Sequence, residues 1–172
     1  MIPGRDRRAF DEFVATSASR LVRTAYLLCG DRGHAEDLVQ TALLRTARRW
    51  RSARRQPEAY ARRVVVNLAK DRWRDLARRP AEAPLEGADR AGPIGVVDGL
   101  LDRDELLRAT EQLSAGQRAV LVLRYFDDLT VEETAATLGC STGTVKSQTS
   151  RALERLRVVL TPEKENADVD RR

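Results

Sequence analysis

A chain of 172 residues with 31 Lys and Arg against 26 Asp and Glu, net +5, has room for one domain or two small ones and suits a polyanionic partner. No apolar run reaches the roughly eighteen residues of a membrane span, and the charged opening MIPGRDRRAFDEF is not a signal peptide, so the expected location is the cytoplasm. Two distant cysteines, Cys29 and Cys140, and a single His34 give no disulfide framework and no zinc spacing, so neither metal nor cofactor is expected.

The first helix is expected from about Arg5 to Cys29. Phe10, Phe13, Val14, Ser17, Leu21, Ala25 and Leu28 recur at helical spacing, and Gly30 stops it. Asp31 then caps a second helix, roughly Arg32 to Arg51, with arginines crowding its C-terminal end as the macrodipole favours. Its inner stripe reads Val39, Leu43, Ala47 and Trp50, which leaves Asp37, Gln40 and Thr41 as a polar outer surface. A third helix opens at Pro57 and runs to about Arg79. The run Val64-Val65-Val66 would suit a strand, but its Ala, Arg, Leu and Lys flanks favour helix.

From Arg45 to Arg79, thirteen basic residues stand against three acids. The excess spans a helix end, a loop and the next helix, so it can form one surface. Trp50, Tyr60 and Trp73 lie within it, and cations beside flat rings suit a single-stranded nucleic acid, although each ring alone suits core packing better.

Residues 80–99 hold three prolines and four glycines and read as a linker. Such coil spans roughly 25 Å relaxed and about 65 Å when pulled straight. A second domain follows over 100–160, beginning with the helix LLDRDELLRATEQL. Ser114 and Gln117 make a capping box before a segment whose core residues are Val120, Leu121, Leu123 and Phe126. Thr130 and Glu133 make another. Ala135, Gly139 and Val145 then stand where a helix-turn-helix needs a small residue, a left-handed turn and a branched anchor.

Ser141 or Thr142 caps the second helix of that motif, and Val145, Thr149, Ala152, Leu156 and Val159 or Leu160 form its inner stripe. Its outer face carries Thr144, Ser147, Gln148, Arg151 and Arg155, with Lys146 at the edge. An apolar inner face under a nearly acid-free outer one suits the major groove of DNA. The tail, 161–172, is polar and expected to be disordered.

Three stretches, GDRGHAEDLVQTALLRTARRW, PEAYARRVVVNLAKDRWRD and LSAGQRAVLVLRYFDDLTVEETAATLGCSTGTVKSQTSRALERLR, together resemble the extracytoplasmic-function (ECF) sigma factors of bacterial RNA polymerase, and most closely the short actinobacterial SigE-like kind. The resemblance implies an all-α chain with two helical domains, region two over 5–79 and region four over 100–160, joined by the flexible linker. It implies core RNA polymerase and promoter DNA, duplex and single-stranded, as partners. It also makes an anti-sigma factor a family-based partner, for which the residues themselves offer no sign. A monomer is expected when free.

By the same resemblance, Asp37, Leu38, Val39 and Gln40 match the surface that docks on the polymerase. Arg51, Arg54 and Arg55 in the loop, with Asn67 and Lys70 on the next helix, match positions that hold the melted −10 strand; Arg62, Arg63, Arg72 and Arg74 suit its phosphates. Lys146, Ser147 and Arg151, with Gln148 alongside, match positions that read the −35 element, and Thr142 and Thr144 suit phosphate at the helix start. Arginine is frequent in the family where this chain has Lys146 and Gln148, so relatives' −35 sequences do not transfer. No nucleophile–base pair or Gly-rich phosphate loop favours an enzyme. The rival readings are a stand-alone helix-turn-helix regulator of duplex operators and a protein-docking adaptor.

Overall fold

The computed structural model of the chain describes residues 4–78 and 109–160. The expected linker, the start of the second domain and the tail lie outside the described residues. Helices α1 (Gly4–Cys29), α2 (Arg32–Arg48) and α4 (Pro57–Arg78) form a three-helix bundle, with a single turn, α3 (Trp50–Ala53), between the last two. The second unit holds α5 (Ala115–Leu121), a π-helical turn (Val122–Phe126), α6 (Val131–Leu138) and α7 (Thr142–Leu160). All described secondary structure is helical, as the periodicity required.

Local chemistry sets most of the boundaries. Asp31 takes the amide of His34 at 2.6 Å and starts α2. The two expected capping boxes, Ser114 with Gln117 and Thr130 with Glu133, are both formed. Gly139 ends α6 at φ 68°, a left-handed turn where a Cβ would be strained. The valine run at 64–66 is helical, with Val65 and Val66 fully buried.

The second helix departs from expectation. It ends at Arg48 rather than Arg51, and its buried stripe is Ala35, Leu38, Val39, Ala42 and Thr46. Trp50 is buried as expected but belongs to α3, where its ring meets Phe10 edge-on at a centroid distance of 5.2 Å. That ring is core, and so is not free to stack on a base.

The two bundles share one core. Val122, Leu123 and Leu129 of the second unit pack with Leu21, Ala25 and Leu28 of α1 and with Val65 and Ala69 of α4. In the π turn the Asp127 amide reaches back to the Val122 carbonyl at 3.1 Å. The wider turn buries Val122 and Leu123 together and delivers Asp127 to the joint. Asp128 follows in left-handed backbone at φ 52°, which aspartate tolerates better than most residues.

Leu21 is fully buried at the centre of the first bundle. Leu21→Ala is expected to lower stability by about 2–5 kcal/mol in urea unfolding, through lost burial and the cavity left behind.

Candidate nucleic-acid interface

Pro57 opens α4 at a position where its missing N–H costs nothing. Ala61, Val65 and Ala69 then turn inward, so Arg63, Asn67 and Arg74 project outward on the opposite side, with half-buried Lys70 at the edge. Arg51, Arg54 and Arg55 on the preceding turn are exposed beside the start of this helix. Arg54 lies 3.8 Å from Asp6, and Arg74 pairs with Asp71. The exposed members of the cationic run thus come from the α3 turn and the outward side of α4, with Trp50 removed to the core.

Arg62 is the exception. Its side chain is only 10% exposed, with Nη2 3.0 Å from Glu58 Oε1 and Nε 3.1 Å from Asp127 Oδ2. The same Glu58 oxygen takes Arg20 at 3.0 Å, and Thr24 donates to Asp127 Oδ1 at 2.7 Å. Arg62 thus joins the two bundles and is not offered to phosphate in this arrangement. Lys70 is likewise engaged, donating to the Leu138 carbonyl of α6 at 3.0 Å.

In the second unit, the Thr144 amide donates to Ser141 Oγ at 3.1 Å, which settles the cap of α7 on Ser141. Val145 and Ala152 are fully buried and fasten α7 against α5 and α6. Thr142, Thr144, Lys146, Ser147, Arg151 and Arg155 are exposed. Gln148 is not on that outer face. It is half-buried, and its amide lies where a side chain added at Gly116 would meet it, because it falls three residues after Val145 and four before Ala152, within the inner stripe.

On α2, Asp37 and Gln40 are exposed while Leu38 and Val39 are buried at 7% and 3%. The last two pack inward and hold the helix that presents the first two. Cys29 is half-buried, its Sγ 3.2 Å from the Asp31 carbonyl, and burial pushes its thiol up. His34, in the first turn of α2, is half-buried. Its Nε2 is buried, and that burial, with Arg72 nearby, pushes its imidazole below the usual range.

Sequence reasoning missed the residues of the joint. Nothing local announces that Thr24 and Asp127, 103 positions apart, share a hydrogen bond. A metal-binding cluster of His, Cys, Asp or Glu is absent among the described residues, and no described helix is long and apolar enough to cross a membrane.

The description "Sigma-70 region 2" matches residues 13–79 and "Sigma-70, region 4" matches residues 103–156. The RNA polymerase sigma-E factor of Streptomyces avermitilis is 42% identical over 165 residues, covering 95% of this chain and 89% of the relative. The chain belongs to the sigma-70 family of RNA polymerase sigma factors. Its ECF character agrees with the ECF RNA polymerase sigma factor SigE of Mycolicibacterium smegmatis, 35% identical over 87% of this chain and 60% of the relative. Among solved structures, the sigma factor RpoE of Bartonella quintana, in complex with the anti-sigma factor NepR, superposes with a TM-score of 0.70 at 25% identity, covering 90% of this chain and 98% of that one. This sigma factor's work is promoter-directed initiation of transcription, and the stand-alone regulator reading finds no support.

Within this sigma factor, Asp127 carries a pH signature. Desolvation raises its carboxyl above the ordinary 3.8; the Thr24 hydrogen bond and the Arg62 and Arg20 charges pull it down, while Glu58 pushes it up. Between 3.8 and the raised value the folded chain holds a proton that the unfolded chain has released. The contribution of this group to stability is therefore full below 3.8 and lost as pH rises through the raised value. The stability of the native chain relative to Asp127→Asn is expected to fall over that window in urea unfolding at stepped pH. A flat difference would contradict it.

Proposed function

We propose that this sigma factor divides initiation between three exposed faces. Asp37 and Gln40 on α2 dock on core polymerase. Arg51, Arg54, Arg55, Arg63, Asn67 and Arg74, joined by Arg62 and Lys70 once the bundles part, capture the melted non-template strand at −10. Thr142, Thr144, Lys146, Ser147 and Arg151 on α7 read the −35 duplex, with Gln148 at the edge of that face. The observation that carries the reading is the sidedness of α4: Arg63, Asn67 and Arg74 stand outward, opposite the buried Ala61, Val65 and Ala69.

The physics asks for no covalent step, and we take the protein to be a binding factor rather than an enzyme. Cations hold phosphates without regard to sequence. Asn67 offers both a donor and an acceptor to the edge of an unstacked base. Capturing the unpaired strand lowers the free energy of the open complex, so melting is coupled to recognition. Lys146 and Arg151 suit guanine edges or phosphate on the duplex side.

The protein works in the cytoplasm as a monomer until it joins polymerase and, through it, the nucleoid. An anti-sigma factor is a further partner: the Bartonella relative was solved with one. The cleft of about 430 Å³ between α4 and α7, walled by Trp73, Ala77, Ala119, Val120 and Leu138, is the apolar surface such a partner would cover.

Run-off transcription with purified core polymerase and genomic promoter fragments tests the reading. New start sites are expected with the protein and lost with Asp37→Ala/Gln40→Ala. Absence of polymerase association, with duplex binding by the protein alone, would overturn it. Arg151→Ala is expected to weaken −35 duplex binding by holoenzyme by about 1–3 kcal/mol, measured by fluorescence anisotropy.

A further inference from the structure

The turn that carries Arg51, Arg54 and Arg55 has little of its own to hold it in place. It contains one helical turn, α3, closed by the Ala53 amide on the Arg49 carbonyl at 2.9 Å and the Arg54 amide on Trp50 at 2.8 Å. A helix of that length is unstable alone, so its position is set by what its inward side chains meet. Within residues 49–56 only Trp50 and Ala53 are buried, and the rest are exposed.

Ala53 offers a single methyl group, which leaves Trp50 as the anchor. Its ring meets Phe10 of α1 edge-on, with centroids 5.2 Å apart and planes at 89°, and meets Phe13 at 6.1 Å. Phe10 and Phe13 lie 6.0 Å apart and close an aromatic trio. The indole Nε1 is buried and has no hydrogen-bond partner among the described residues. Ring shape alone therefore fixes the anchor, in the edge-to-face arrangement that ring quadrupoles favour.

The two phenylalanines divide the work. Phe13 is buried within the first bundle, whereas Phe10 is half-buried at its rim. Loss of the rim ring costs the bundle least and the turn most. One helical turn earlier, Asp6 Oδ1 lies 3.8 Å from Arg54 Nη1, so the start of α1 stands beside the cations themselves. That pair is exposed on the arginine side and adds little hold, which leaves the guanidinium able to reach a phosphate.

We propose that Phe10 is a positioning residue for strand capture: it seats Trp50, and through Trp50 it holds Arg51, Arg54 and Arg55 where phosphates of the melted strand meet them together. This inference rests on the functional reading above. Phe10 acts only by fixing where the turn stands. Asn67 is carried by α4 and does not depend on this seat.

The test compares the native chain with Phe10→Leu, which keeps apolar bulk but loses the ring edge, and Phe10→Tyr, which keeps the ring and can turn its hydroxyl to solvent. Helix content is checked by circular dichroism, and each chain is assembled with core polymerase. Binding of holoenzyme to a labelled non-template strand of the −10 segment is then followed by fluorescence anisotropy at stepped salt. Phe10→Leu is expected to bind about four- to fifteenfold more weakly near 0.15 M salt, with a salt slope shallower by about 0.7–1.4, the share of one to two single-strand phosphates. Its affinity for core polymerase is expected to stay within about twofold, and Phe10→Tyr is expected to match the native chain in affinity and slope. Trp50→Phe keeps an aromatic core but draws the ring away from Phe10; it is expected to lose slope in the same way and decides the matter if Phe10→Leu does not fold. Native affinity and slope in a folded Phe10→Leu overturn the proposal, and so do a weaker affinity with unchanged slope or an equal loss in Phe10→Tyr. A native holoenzyme that binds the strand no better than core polymerase alone overturns the functional reading instead.

Discussion

A carboxylate enclosed between two helical bundles determines how this molecule is put together. Asp127 meets Thr24 of α1 and Arg62 of α4, and around it Val122, Leu123 and Leu129 complete a core that neither bundle fills alone. Apolar burial supplies the attraction across this joint, since it is non-directional and grows with area. The polar groups choose among the ways two such surfaces can slide. Leaving Asp127 without a counter-charge would be costly at its depth, so the arrangement that gives it Arg62 is selected.

The consequence for function is a separation of faces. Each bundle buries one stripe in itself and keeps another for a partner: α2 keeps Asp37 and Gln40, α4 keeps Arg63, Asn67 and Arg74, and α7 keeps Lys146, Ser147 and Arg151. Leu38, Val39 and Gln148 matched the family's contact positions in sequence but belong to the inward stripes. They shape the contact faces from beneath. The division follows from helical geometry, in which neighbours in sequence point about 100° apart and cannot all serve one surface.

Much of this was legible in the sequence because it is local chemistry. Asp31, the Ser114–Gln117 and Thr130–Glu133 boxes and Gly139 are each recognisable within four residues, and each stands where expected. The stripe of α2 was less legible. Thr46 is fully buried because its hydroxyl bonds the Ala42 carbonyl at 2.8 Å, so a core position looks polar, and the break at Arg49 moves Trp50 onto another helix. Least legible was the joint. Thr24 and Arg62 are buried by a segment far along the chain, and no periodicity within α1 or α4 can register a neighbour that arrives from elsewhere.

The most direct test of the account is a distance. Spin labels at exposed Ala59 on α4 and exposed Val158 on α7, in a chain with Cys29 and Cys140 replaced, would report the separation of the bundles by pulsed electron resonance. The account predicts a single short separation in the free protein, set by the shared core, and a longer or broader one once Asp127→Arg breaks the joint. The same short separation in the folded variant would contradict it, and so would a broad, already extended distribution in the native chain.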